Sequence, residues 1–243
     1  FLPSNFDKKK LNISFFNTSL WEFKSIVENQ NLYVFKDDFE FLDFIYEKFS
    51  TNKDIFFYFR CHPNMLLEKN YLEKIKKKCN KFKNLLFINP ESTISTKELL
   101  KHSDIIINFG SSVALEGAFF GKKIITLAPS IFLHFKFQKV IKSKKVLYKY
   151  ISLILKLKKN HQLYFDRKVY NNALIAAGAA SLEGKKFNSV KIIDRYKQIY
   201  LYKNKKINLK PSFIQNMIFN FYIILKTIKK LIIFTYLDYN LTL

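Results

Sequence analysis

Between Lys10 and Ala128 the chain alternates, five times in succession, between a short apolar run and a longer stretch with helical spacing. The runs cover residues 11–16, 54–59, 84–88, 104–108 and 123–127 and are nearly continuous in Ile, Phe and Leu. The helical stretches between them are 38–49, 71–82, 96–101 and 112–120. Strands buried on both faces read as unbroken apolar runs, and strands alternating with helices predict βαβ units. The fold class is therefore α/β: a doubly wound parallel sheet covered on both faces, with a mostly helical C-terminal extension.

Turn residues agree with these limits. His62-Pro63-Asn64 ends the second run and Asn89-Pro90 the third, Gly110 follows the fourth, and Gly121 closes the helix before the fifth. Thr93 and Ser95 both suit the N-cap of the short helix at 96–101, and Glu98 stands three residues after Ser95 as in a capping box. Beyond residue 129 the pattern becomes helical and lysine-rich. Residues 1–10 read as a linker remnant, 11–150 as the α/β domain, 151–211 as a helical continuation and 212–243 as an apolar, basic C-terminal helix. Lys226, Lys229 and Lys230 interrupt that last segment, which suits an interfacial helix or one packed on another domain better than a membrane span. The chain opens on Phe1 with no charged leader, so no signal peptide is visible and a fragment is expected.

The formal charge of +23 raises the question of nucleic acid. Only Arg60, Arg167 and Arg195 are arginines among 42 basic residues, whereas readers of bases and phosphates favour the bidentate guanidinium. Nucleic acid is therefore not an expected partner. A lysine-rich surface remains suited to anionic lipid or anionic polymer. Cys61 and Cys79 lack metal-ligand spacing and read as free, buried thiols of a reducing cytoplasm.

Ligands of open parallel sheets bind beyond the carboxyl ends of the strands. Polar residues gather there: Arg60, His62 and Asn64 after the second strand, Glu91 and Ser92 after the third, and Gly110, Ser111 and Ser112 after the fourth. Asn108-Phe109-Gly110-Ser111-Ser112 leads a strand through glycine into a helix start, where unpaired N–H groups and two hydroxyls can hold a phosphate. The plainer alternative is that a serine only caps the helix. Glu116 lies one turn beyond Ser112 on the same face and can accept from ribose hydroxyls; its apolar neighbours Leu115, Ala118, Phe119 and Phe120 argue that it is not a merely solvated residue. His62, extended before Pro63, can donate to a phosphate oxygen, and Arg60 points to the same side two residues earlier. His62 and Glu91 are the candidate catalytic residues. Arg60, His62, Pro63, Asn64, Ser92, Gly110, Ser111, Ser112 and Glu116 are the candidate binding residues. His102, His134 and His161 read as structural or surface residues. No metal cluster and no nucleophile–His–acid set stands out.

These motifs, in this order, resemble the C-terminal domain of bacterial capsule and surface-polysaccharide glycosyltransferases of the GT-B fold. The resemblance rests on "FRCHPN", "INPESTIST" and "IINFGSSVALEGAFFGKKIITLA", together with the opening "ISFFNTSLWEF", and spans about half the chain. The His-Pro and Ser-Ser elements are similar to those of Kdo transferases and bacterial sialyltransferases, which use CMP-activated sugars. The resemblance implies that His62, Pro63, Ser111 and Ser112 hold the donor nucleotide and its phosphate, and that Glu116 binds the ribose. It makes residues 11–150 a nucleotide-sugar-binding Rossmann-like domain, with the nucleotide-sugar as substrate and no cofactor or metal required. The implied partners are a polysaccharide or lipid-linked glycan acceptor and a missing N-terminal GT-B domain. The implied place is the cytoplasm, at the inner face of the membrane. Lys123 and Gly117 depart from the usual Pro and Ala of the last motif. A CDP-polyol phosphotransferase of teichoic-acid type carries similar elements, and a sugar-nucleotide 2-epimerase has paired acids where Glu116 stands alone. A non-catalytic membrane-surface module is the reading outside enzymology.

Overall fold

The computed structural model describes residues 1–19, 34–128, 130, 132–183, 190–194, 199–202 and 205–208. Residues 1–183 form one compact unit and residues 184–243 another. In the first, β1 (Leu11–Phe16), α1 (Asp38–Phe49), β2 (Ile55–Arg60), α2 (Lys69–Cys79), β3 (Leu85–Ile88), α3 (Thr96–His102), β4 (Ile105–Asn108), α4 (Val113–Ala118) and β5 (Lys123–Thr126) follow in turn. A two-residue strand β6 (Lys139–Val140) and the helices α5 (Lys144–Lys159) and α6 (Arg167–Glu183) complete it. All neighbouring strands are parallel, in the order β3-β2-β1-β4-β5-β6. This is the doubly wound Rossmann-like order, in which the chain reverses its direction of travel across the sheet between β1 and β4.

Strand parity builds the two layers. Leu11, Ile13 and Phe15 of β1, with Ile55, Phe57 and Phe59 of β2 and Ile105 and Ile107 of β4, face one core shared with α1, α2 and α5. Phe16, Phe56, Tyr58, Ile106 and Ile124 face the other, shared with α3, α4 and α6. Phe15 stacks on Phe41 of α1 at 4.2 Å and meets Phe59 and Phe109 at 4.9 and 5.4 Å. Such ring pairs add about 0.5–1.5 kcal/mol each beyond buried area, and they seat α1 firmly on β1. Gly121 ends the α4 turn at φ +60°, with the Phe165 ring 2.4 Å from where a Cβ would stand. Both positive φ and lack of room favour glycine there.

The expected strands and helices up to residue 126 are all present, most of them within one or two residues of their predicted limits. Three differences follow. The boundary at residue 150 falls inside α5, whose Leu147, Ile151 and Ile154 are buried in the sheet's first core, so the helix belongs to the α/β unit. Among the described residues of the expected helical continuation to 211, helix runs to Glu183, whereas Val190–Asp194, Ile199–Tyr202 and Lys205–Asn208 form an antiparallel sheet β7-β8-β9. Their β-branched and aromatic residues favour strands more than the interspersed lysines favour helix. Strand β6 has two exposed residues and no apolar pattern to reveal it. The C-terminal segment 212–243 and Trp21 of the opening motif lie outside the described residues.

Candidate functional site

Register lines up the carboxyl ends of the strands. Ile88, Arg60, Phe16, Asn108, Thr126 and Val140 are successive partners across the six strands. Arg60, Asn108 and Thr126 share the parity of Phe16 and so lie on the α3–α4–α6 side. The next residues along, Asn17 after β1 and Cys61 after β2, lie toward α1 and α2. Thus β1, β2 and β4 bring their polar ends together at the point where the strand order reverses.

The Gly-Ser-Ser turn is built differently from the sequence expectation. Gly110 takes φ +82°, as the tight exit from β4 requires. The buried Asn108 then turns its side-chain oxygen onto the turn, accepting the Gly110 and Ser111 N–H groups at 2.9 and 3.0 Å. Its amide nitrogen donates to Ile125 O at 3.1 Å and to Thr126 Oγ1 at 3.3 Å, and the threonine hydroxyl donates onward to Gln138 Oε1 at 2.6 Å. Two of the N–H groups read as a phosphate cradle are therefore already engaged. What the turn offers is its hydroxyls. Ser112 stands at the N-cap of α4 but makes no side-chain cap bond, and Ser111 Oγ accepts the Val113 N–H only at 3.4 Å. Ser112 is therefore not a cap, while the plainer alternative still describes Ser111.

His62 is extended, at φ −65° and ψ 140°. Its backbone N–H donates to Asn17 Oδ1 at 2.8 Å, and its Nδ1 accepts the Asn64 N–H at 3.1 Å, capping a 3-10 turn over Pro63–Leu67. A ring nitrogen that accepts carries no proton, so the neutral imidazole holds its hydrogen on Nε2 as a donor. Pro63 is the first residue of the turn, where its fixed φ suits the geometry and its missing N–H costs nothing. Arg60 donates to Asn89 O at 2.9 Å, joining the ends of β2 and β3. Its guanidinium has further donors to offer.

The remaining candidates are less engaged. Glu91 is exposed on the turn after β3, and Ser92 Oγ accepts the Ile94 N–H at 3.3 Å. Glu116 is exposed, which corrects the expectation of an apolar setting: its helix buries Val113, Ala114, Gly117 and Ala118 and leaves Ser112 and Glu116 together on the outer face. His102 pairs with Glu98 at 3.3 Å and meets the Phe6 ring edge-on. Cys61 and Cys79 are free and buried. Among the described residues no group of three His, Cys, Asp or Glu is placed to hold a metal ion, and no helix is long and apolar enough to cross a membrane.

Asn17, Asp38 and Tyr71 escaped the sequence reading. Asp38, in the first turn of α1, is only 6% exposed. Its Oδ2 accepts from Asn17 Nδ2 and from the Tyr71 hydroxyl, both at 3.3 Å. Burial pushes its carboxyl up to about 7, against the opposing effect of those two bonds. A sequence signal existed in Asp37-Asp38 at a helix start, but one acid is the cap, with Asp37 Oδ1 accepting the Glu40 N–H at 2.8 Å, and the pattern does not tell which is buried.

No protein-family profile matches the chain, and no curated protein matches it. Similar solved structures include the UDP-GlcNAc 2-epimerase from Neisseria meningitidis bound to UDP-GlcNAc, at 13% identity and TM-score 0.46, covering 73% of this chain and 46% of that one. The beta Kdo 2,4 transferase KpsC of Thermosulfurimonas dismutans matches at 15% identity and TM-score 0.43, over 70% of this chain and 46% of that one. The wall teichoic acid polymerase TagF matches at 17% identity and TM-score 0.40, over 75% and 46%. The chain spans about half the length of these structures. Likeness at this level says nothing of chemistry, which has to be read from the chain's own residues.

Proposed function

We propose that this chain is the donor-binding half of a GT-B glycosyltransferase, taking a nucleotide-sugar, CMP-linked in first preference, and serving a surface-polysaccharide or lipid-linked acceptor. The observation that carries the reading is topological: the end of β2, bearing Arg60 and His62, and the turn after β4, bearing Ser111 and the uncapped Ser112 hydroxyl, flank β1 at the strand-order reversal, where doubly wound sheets bind nucleotides. Ser112 and Glu116 share an exposed face one helical turn apart, a spacing that suits phosphate at the serine and ribose at the carboxylate.

In the transfer, an acceptor oxygen forms a bond to the anomeric carbon as the bond from that carbon to the donor phosphate breaks. Negative charge grows on the departing phosphate. His62 Nε2–H, the serine hydroxyls and Arg60 are the donors that stabilise it, and fixed donors of this kind act without reorganising during the reaction. The acceptor hydroxyl surrenders its proton to a base, for which Glu91 is this chain's candidate; another domain of the enzyme is the second source.

Calorimetric titration with CMP, CDP, UDP and GDP tests the reading. One nucleotide should bind with micromolar affinity, about −8 kcal/mol, and bind at least about tenfold more weakly to His62→Ala and to Ser112→Ala. CMP as the preferred ligand supports the sialic-acid-like or Kdo donor class, and CDP moves the assignment to polyol-phosphate transfer. Absence of binding by all four at millimolar concentration sinks the proposal. Vesicle binding indifferent to nucleotide and to Ser112→Ala would then favour a membrane-surface module.

A further inference from the structure

The donor-site reading makes no use of the carboxylate in the first turn of α1. The groups around Asp38 make it an unfavourable place for negative charge. Asp37 and Glu68 raise its pKa further, and Cys61 at the end of β2 and Tyr71 and Cys79 on α2 are neighbours whose own pKa values burial and Asp38 push up. A neutral residue of the same shape would be the more stable choice at neutral pH. Packing alone therefore does not account for an acid at this position.

Asn17 stands between this acid and His62. Its Nδ2 donates to Asp38 Oδ2 at 3.3 Å while its Oδ1 accepts the His62 N–H at 2.8 Å. The two ends of an amide differ chemically, and an ionised carboxylate can only accept. Asp38 therefore admits only the nitrogen end of Asn17 and turns the oxygen end to His62. His62 is held a second time at its ring, where Nδ1 accepts the Asn64 N–H at 3.1 Å. We propose that Asn17 and Asp38 are a positioning pair, which fixes the His62 main chain and through it the imidazole whose Nε2–H meets the donor phosphate. The last clause rests on the donor-site reading; the coupling of Asp38 to His62 does not.

The same logic makes the pair sensitive to protonation. A neutral carboxylic acid, or an asparagine at position 38, presents both a donor and an acceptor and no longer dictates which end of Asn17 faces it. Enforcement strengthens as the pH rises through about 7, where Asp38 ionises.

The test follows the His62 ring nitrogens by NMR in the full chain labelled with 15N-histidine, assigned by comparison with His62→Gln. In wild type the neutral ring should be the tautomer protonated on Nε2, and its shifts should carry an Asp38-dependent inflection near pH 7, read as the difference from Asp38→Asn. Asp38→Asn, an isostere chosen to keep the packing, should remove that inflection, and Asn17→Ala should remove it independently. CMP affinity above neutral pH should fall about tenfold in each variant, and the double variant should lose no more than either alone, since both break one relay. His62 signals in Asp38→Asn that superimpose on wild type at every pH overturn the proposal. If wild type binds none of CMP, CDP, UDP and GDP while its His62 signals still respond to Asp38→Asn, the donor assignment fails and the positioning pair stands.

Discussion

Asn108 decides what the Gly-Ser-Ser turn can offer a ligand. Its side chain makes four hydrogen bonds, two to the turn and two to β5, and all of its amide chemistry is spent inside the protein. Asn108→Leu keeps the volume but strips partners from the Gly110 and Ser111 N–H groups, so it should lower stability by about 2–4 kcal/mol in urea denaturation. Ser112 should behave in the opposite sense. Ser112→Ala, at an exposed residue with no cap bond, should leave stability within about 0.5 kcal/mol of wild type while weakening nucleotide binding. The turn's place at a strand end, its glycine and its hydroxyls were legible in sequence. The engagement of its N–H groups was not, although asparagine bonding backbone two residues on is a known habit of that side chain and was the signal to use. Glu116 shows the converse: apolar neighbours in sequence lie on other sides of a helix, and only the helix's rotation tells which face is wet.

The elements of the α/β unit were readable because the central strands β1, β2 and β4 are buried on both faces and the long helices carry one apolar stripe, so period and punctuation agree. Where burial does not impose a pattern, sequence is silent, as at β6. Where short runs of Ile, Leu and Tyr stand beside lysines with no sustained alternation, composition suggests helix instead of strand, as in β7 to β9. Caps can be resolved more finely than sequence allowed. Of the two candidates before α3, Ser95 is the cap: its Oγ accepts the Glu98 N–H at 3.3 Å, while Thr93 is exposed. The capping box is only half made, because the Ser95 N–H donates to Phe1 O and the Glu98 carboxylate turns to His102. Ser95→Ala should therefore cost about 1 kcal/mol, a single cap bond, and Thr93→Ala almost nothing, as compared by thermal melts.

At the scale of the whole molecule, ionisable groups pull stability in opposite directions with pH. Glu40 on α1 has its pKa lowered, first by the hydrogen bond from Lys144 of α5 and then by the Lys36 N–H, so what it contributes is present above its ordinary range and lost as pH falls through the lowered value. It is only half-buried and its partner Lys144 is exposed, so its share is small. Asp38 acts the other way and with more force. Below 3.8 the carboxyl is protonated in both states; between 3.8 and about 7 the unfolded chain releases the proton and the folded chain keeps it. Stability must therefore fall as pH rises across that window, by roughly 4 kcal/mol at most for a shift of about three units, and level off once both states are ionised. Asp38→Asn has no proton to release. In urea denaturation across this range, its stability relative to wild type should climb from the acid side and reach a plateau above about pH 7. A variant that is more stable than wild type at neutral pH yet binds nucleotide less well would mark Asp38 as a residue kept for the site and at the expense of the fold. A flat difference across the window would mean that the carboxyl ionises in the folded chain as it does in water, and that the relay to His62 is always engaged.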